Sequence, residues 1–269
     1  MSEVTLSVGS YAQVNGLDLY YEVHGAGQPL VLLHGGLGAI EMFGDLLPQL
    51  AEGRQVIAVD LQGHGRTADI DRPPRFELMA DDVAALIRYL GLERADVMGY
   101  SLGGGVAWQL AIRHPDVVRR LVIISAAVKR SGLYPEVIAA TAGVNAEAAE
   151  AMKPSPIYQL YARIAPRPED WPLLVTKTGE LLQQDYDWSA DVAAIKAPTL
   201  VVVGDADSIR LAHVVEMFEL LGGGQRDGGL DGSGMSKSRL AVLPGTTHYA
   251  ILDSPPLTAV VMPFLSEPA

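Results

Sequence analysis

Three short runs in this chain are apolar at nearly every position: Leu30-Val31-Leu32-Leu33, Leu121-Val122-Ile123-Ile124 and Thr199-Leu200-Val201-Val202-Val203. A strand with one wet face alternates apolar and polar residues, whereas one that is apolar throughout is buried on both faces. The segments between such runs carry the helical period. From about Glu77 to Leu90 the residues Val83, Leu86, Ile87 and Leu90 are spaced by three and four, and Gly91 stands where a helix C′ glycine would. Apolar strands alternating with amphipathic helices predict an α/β fold, a mostly parallel twisted sheet with helices on both faces.

The other elements follow the same logic. Asn15-Gly16 is a hairpin-turn signal before the strand Leu17 to Val23. Further strands are expected at Val56 to Val59, Ala95 to Met98 and Leu240 to Leu243. Further helices are expected around Met42 to Leu50, from Leu102 through Ala111, from Leu211 to Leu221 and from Leu257 to Leu265. Between Ala127 and Asp191 the rhythm breaks into Ala- and Glu-rich stretches and prolines, which predicts short helices and turns with no strand. Residues 127–191 are expected to form a small helical cap, inserted between core segments 1–126 and 192–269. The run from Leu221 to Ser238 is too rich in glycine for regular structure. Two readings of it are open, a surface loop and a rim of the active site.

Composition narrows the function. A formal net charge of -12 argues against nucleic acid and anionic membrane surfaces as partners, because phosphate contacts need a basic face. The chain has no cysteine, which excludes disulfides, thiolate metal sites and a cysteine nucleophile. Met1-Ser2-Glu3-Val4 lacks the basic and apolar regions of a secretion signal, and no apolar run is long enough to span a membrane. A cytoplasmic location is the expectation. There is no HExxH or clustered carboxylate pattern, so no metal is expected. Gly36-Leu37-Gly38 and Gly63-His64-Gly65 each lack the third glycine of a dinucleotide fingerprint, and no cofactor is expected. Oligomeric state is not written in these features.

The chemistry centres on Gly99-Tyr100-Ser101-Leu102-Gly103, a G-x-S-x-G stretch between a strand and a helix. A serine on so sharp a turn is exposed at the sheet edge, and the next helix aims its free N–H groups at the same spot. Glycines flank it because a Cβ would clash with backbone. A serine hydroxyl needs a base, and the base needs an orienting acid. Downstream, Asp205 and Asp207 follow one buried strand, and His248 follows the next in Pro244-Gly245-Thr246-Thr247-His248.

Taken together, these motifs resemble those of the α/β-hydrolase superfamily over nearly the whole chain. The matching stretches are His34-Gly35-Gly36, Asp60-x-x-Gly63-x-Gly65-Arg66, the turn at Ser101, the G-x-x-D that ends at Asp207, and Pro244-Gly245-x-x-His248. The resemblance implies Ser101 as nucleophile, His248 as general acid–base and Asp207 as its carboxylate. It also implies an oxyanion hole from the backbone N–H groups of Gly36 and Leu102. Some members carry the acid one strand earlier, but here that position reads Ser125-Ala126-Ala127. Asp205 is then a turn residue that caps local N–H groups. His34 is expected to shape the oxyanion loop, His64 to be structural, and Arg66 to tie down its own loop. Leu37, Tyr100, Tyr158, Trp171 and Trp188 are the candidates for substrate contact.

The activity implied is that of a serine hydrolase acting on small to medium carboxylic esters or lactones through an acyl-enzyme. Perhydrolase or carbon–carbon bond hydrolase chemistry on the same triad is the alternative, as is a non-enzymatic ligand receptor on this scaffold.

Overall fold

The computed structural model describes residues 9–267, so the reading of Met1-Ser2-Glu3-Val4 lies outside the described residues. The strands are β1 (Ser10–Val14), β2 (Leu17–His24), β3 (Gln28–Leu33), β4 (Arg54–Val59), β5 (Ala95–Tyr100), β6 (Val118–Ile124), β7 (Thr199–Ala206) and β8 (Arg239–Thr247). They form one sheet in the order β1-β2-β4-β3-β5-β6-β7-β8. The β1–β2 hairpin joins antiparallel to β4, and every pairing from β4 across to β8 is parallel.

The apolar strands are buried on both faces because successive side chains point opposite ways. Val31, Leu33, Ile57, Val59, Val97, Leu121, Ile123, Val201 and Val203 face one core, packed by α2 (Phe76–Tyr89) and α3 (Leu102–Arg113). Their neighbours Leu30, Leu32, Val56, Ala58, Met98, Val122, Ile124, Leu200 and Val202 face the other, covered by α1 (Leu46–Ala51) and α10 (Pro255–Ser266). Each fully buried Leu, Ile or Val side chain contributes roughly 2 kcal/mol. Between β6 and β7 the elements are helical: α4 (Pro135–Ala140), α5 (Ala146–Ala151), α6 (Pro156–Ile164), α7 (Trp171–Gln183) and α8 (Ser189–Val192), with short 3-10 turns. They build their own small cluster around Tyr161, Trp171, Leu174 and Val175. The helix after β7, α9 (Leu211–Leu220), leads into the glycine-rich loop. Among the described residues no helix is long and apolar enough to cross a membrane.

Two expectations are corrected here, and the open question of the glycine-rich loop is decided. The helix expected around Met42 to Leu50 is two pieces, a 3-10 turn at Ile40–Phe43 and then α1, because Gly44 between them has φ +42°. The strand expected at Leu240 to Leu243 runs on to Thr247 and includes Pro244. As the edge strand of the sheet, β8 can hold a residue that donates no hydrogen bond. The glycine-rich loop enters β8 at Arg239, which pairs with Leu200 near the start of β7, whereas His248 follows the far end of β8. A nine-residue strand spans about 30 Å, so the loop is a surface feature at the opposite end of the sheet from the site.

Candidate active site

The C-terminal ends of β3, β5, β7 and β8 converge on one edge of the sheet, and each delivers a piece of the site. Ser101 follows β5 with φ +53°, a left-handed conformation for a residue with a Cβ. The surrounding glycines permit the turn. A Cβ on Gly99 would lie 2.2 Å from Gly103 O, and one on Gly103 would lie 2.3 Å from Leu33 O. The turn is tied on both sides, with Ser101 N donating to Ile124 O and Gly103 N to His34 O.

Ser101 Oγ lies 3.0 Å from His248 Nε2, and His248 Nδ1 lies 3.0 Å from Asp207 Oδ1. Asp207 is buried and well supplied with donors. Its Oδ2 accepts from Ser125 Oγ (2.5 Å) and Gly204 N (3.2 Å), and its Oδ1 from Ser208 N (2.7 Å) and Ser208 Oγ (3.1 Å). Burial pushes its pKa up. The hydrogen bond and charge of His248, with the Ser125 and Gly204 donors, outweigh that and hold the carboxyl below its ordinary range. Asp205 is exposed, and its Oδ1 accepts from Thr246 N (3.1 Å), the capping expected of it.

Gly36 sits against the first turn of α3. A Cβ placed on it would be 3.4 Å from Leu102 Cδ1 and 3.4 Å from Thr178 Cγ2. The loop turns at Leu37 (φ +59°) and is closed by Gly38 N donating to Gly35 O. Buried His34 holds it from below. Its Nδ1 donates to Gly35 O (2.7 Å) while its Nε2 accepts from Leu61 N (3.1 Å), which sets the neutral tautomer. Asp60 accepts from Ile40 N and Arg66 N and pairs with the Arg66 guanidinium, so the Asp60-to-Arg66 motif is a brace for this loop.

The structure brings Ser101, His248 and Asp207 together, and Gly36 with Leu102. The five substrate-contact candidates are scattered. Leu37 and Tyr158 pack on the cap cluster that contains Trp171, whose indole N–H donates to Ala149 O. Tyr100 turns its hydroxyl to His248 O (2.9 Å). Trp188 is not brought to the site: it is buried in the main core, stacked on Tyr186 and edge-on to Phe76. The sequence reading missed Ser125, Ser208 and Thr178. Ser208 follows the acid directly, and Ser125 ends the strand beside the acid's own, so strand adjacency could have found both. Thr178 depends on how α7 docks, for which the sequence carries no signal.

Comparison with known proteins places these features. The model of the alpha/beta hydrolase fold family matches residues 28–163. The AB hydrolase superfamily protein YisY of Bacillus subtilis is 32% identical over 213 residues, covering 71% of this chain and 78% of that protein. The 2-hydroxymuconate semialdehyde hydrolase of Pseudomonas sp. strain CF600 is 40% identical over 107 residues. That match covers 38% of each chain, well under two thirds of the relative's length. Among solved structures, the enol-lactonase from Burkholderia xenovorans superposes with a TM-score of 0.71 at 23% identity, over 96% of this chain and 100% of that one, a likeness of fold.

Proposed function

The chain belongs to the alpha/beta hydrolase fold family, and from that premise we propose that it is a hydrolase that cleaves small to medium carboxylic esters or lactones through an acyl-enzyme. The observation that carries this reading is the continuous relay from Ser101 Oγ through His248 to Asp207, with both links at 3.0 Å. Ser101 Oγ attacks the carbonyl carbon as His248 Nε2 takes its proton. Asp207 keeps the imidazole in the tautomer with Nδ1–H and stabilises the cation that forms. The backbone N–H groups of Gly36 and Leu102 bind the oxyanion, and one such donor contributes roughly 3 kcal/mol. His248 then delivers the proton to the leaving alcohol, and water repeats the sequence on the acyl-enzyme.

The test is hydrolysis of p-nitrophenyl esters from acetate to palmitate with Ser101→Ala alongside. Activity that peaks at short or medium chains and vanishes in the variant is the expected result. The likeness to a 2-hydroxymuconate semialdehyde hydrolase favours a second reading, carbon–carbon cleavage by the same triad. An inert ester series, with Ser101-dependent loss of dienone absorbance from a dienoic keto acid, would select it. The proposed setting is cytoplasmic, with a small-molecule substrate.

A further inference from the structure

Among the described residues, four other than glycine have a left-handed backbone: Asn15 (φ +48°), Leu37 (φ +59°), Ser101 (φ +53°) and Ser125 (φ +52°). Asn15 lies in the turn between β1 and β2, where asparagine adopts this conformation routinely. Leu37 turns the oxyanion loop, and Ser101 is the nucleophile. Backbone held in this region persists only where the surrounding structure over-determines it, and such residues collect at functional sites. Ser125 is the one of the four that neither a hairpin, the oxyanion loop nor the nucleophile's turn explains.

Ser125 repeats the geometry of Ser101 one strand further along the sheet. Ser101 follows the last residue of β5, and its N–H donates to Ile124 O at the end of β6 (2.9 Å). Ser125 follows the last residue of β6, and its N–H donates to Val202 O in β7 (2.9 Å). Tyr100 pairs with Ile124 and Ile124 with Val202, so each turn hooks onto the strand beside it. Helix α3 holds the second turn as well. Trp108 Nε1 donates to Ala126 O (3.2 Å), and a Cβ on Gly104 would lie 2.5 Å from Ala126 Cβ. The two serines differ in what they face. Ser101 is part exposed with its Oγ on His248, whereas Ser125 is 3% exposed and its Oγ donates to Asp207 Oδ2 (2.5 Å). A hydroxyl has one proton to donate, and here the carboxylate receives it.

We propose that Ser125 is a positioning residue of the catalytic relay, its left-handed turn aiming a hydroxyl at Asp207 Oδ2 so that Oδ1 stays on His248 Nδ1. A carboxylate turns about a single bond, and a hydrogen bond to each oxygen fixes that rotation. Oδ1 is held by His248 and Ser208. Oδ2 is held by Ser125 and, at the longer distance of 3.2 Å, by Gly204 N. Ser125 is too buried to meet substrate and acts through Asp207. The proposal rests on the serine-hydrolase reading of the site.

The experiment separates the hydroxyl from the backbone. Ser125→Gly and Ser125→Ala both lose the hydroxyl, but glycine adopts φ +52° freely and alanine does not. Ser125→Gly should therefore have the higher Tm of the two. Both should lower kcat for p-nitrophenyl butyrate about tenfold, with KM little changed. The acid limb of kcat/KM should also move to higher pH in both, by about 0.5, because a carboxylate with one donor fewer holds the imidazolium proton more tightly. Activity that follows Tm instead, near wild type in Ser125→Gly and lost only in Ser125→Ala, would overturn the proposal. An acid limb that stays in place would do the same. If no ester is hydrolysed, the ester reading fails by itself, and the rate at which a fluorophosphonate labels Ser101 decides the proposal. Labelling about tenfold slower in both variants would uphold it, and equal rates in all three proteins would sink it.

Discussion

The Tyr100 hydroxyl donates to the backbone carbonyl of His248 at 2.9 Å, joining the residue before the nucleophile to the residue that must deprotonate it. The same ring lies beneath the oxyanion loop, since a Cβ on Gly35 would meet Tyr100 Cε1 at 2.8 Å. Tyr100 thus touches the scaffolding of all three parts of the machinery. It positions His248 rather than lining a pocket. Tyr100→Phe is expected to lower kcat about tenfold with KM little changed, the effect of one hydrogen bond of about 1–1.5 kcal/mol. A rise in KM at constant kcat would instead make Tyr100 a substrate contact.

Asp207 and Asp205 are separated by one residue and by their environments. Asp207 is buried on His248 with four further hydrogen bonds from protein donors, and Asp205 is a solvated turn cap. Asp207→Asn should reduce kcat by about 10⁴, because it favours the wrong imidazole tautomer. Asp205→Asn should leave kcat within a few-fold. Steady-state kinetics on the two variants decides the matter, and equal losses would undo the assignment of the acid.

A Cβ added to Gly103 would run into backbone, with Leu33 O at 2.3 Å and His34 O at 2.5 Å. Backbone cannot rotate away as a side chain can. Gly103→Ala should therefore cost more than the roughly 1–3 kcal/mol of ordinary overpacking, seen as a large fall in Tm or loss of soluble protein. Gly143→Ala is the control, since its Cβ has nothing within 4 Å. Equal Tm values for the two would mean the elbow can open.

His34 and His64 are kept neutral chiefly by burial, which pushes His34 down to about 4 and His64 to about 3. In the unfolded chain both return to about 6.5. Between these values the unfolded state binds more protons than the native one. Stability is then complete above about pH 6.5 and falls as the pH drops toward 4, by up to about 1.4 kcal/mol per pH unit for each histidine. Urea midpoints from pH 7 to pH 5 should fall less steeply in His64→Phe than in the wild type. Parallel slopes would show that His64 titrates alike in both states.

What could be read in advance divides along a physical line. The sheet was legible because Leu30 to Leu33 and Thr199 to Val203 are apolar at alternate positions on both faces, a pattern with one stable solution in a layered fold. Ser101, Asp207 and His248 were legible because each sits at a fixed offset from the end of such a strand. Thr178 and Trp188 were not, because cap side chains are placed by how the helices dock, and an aromatic in a cap reads the same whether it faces a ligand or Tyr186. Ser125 escaped because its role depends on β6 lying next to β7, a pairing between segments about 75 residues apart.

The glycine-rich loop offers a deletion that separates fold from function. Gly234 N donates to Gly228 O at 2.9 Å, so the ends of the segment already meet, and removing Gly228 to Gly234 shortens the loop without pulling on α9 or β8. Leu230 is fully solvent-exposed there and Met235 more than half so, and little apolar burial is lost. The loop enters β8 at the end remote from His248. The deletion variant should keep its Tm within a few degrees and its ester profile unchanged, because additive behaviour is expected of sites this far apart. A change in acyl-chain preference at constant Tm would mean that the edge strand transmits strain along its length to His248. In that case the bend where β8 shifts register against Gly204 and Ala206 would be the segment to examine next.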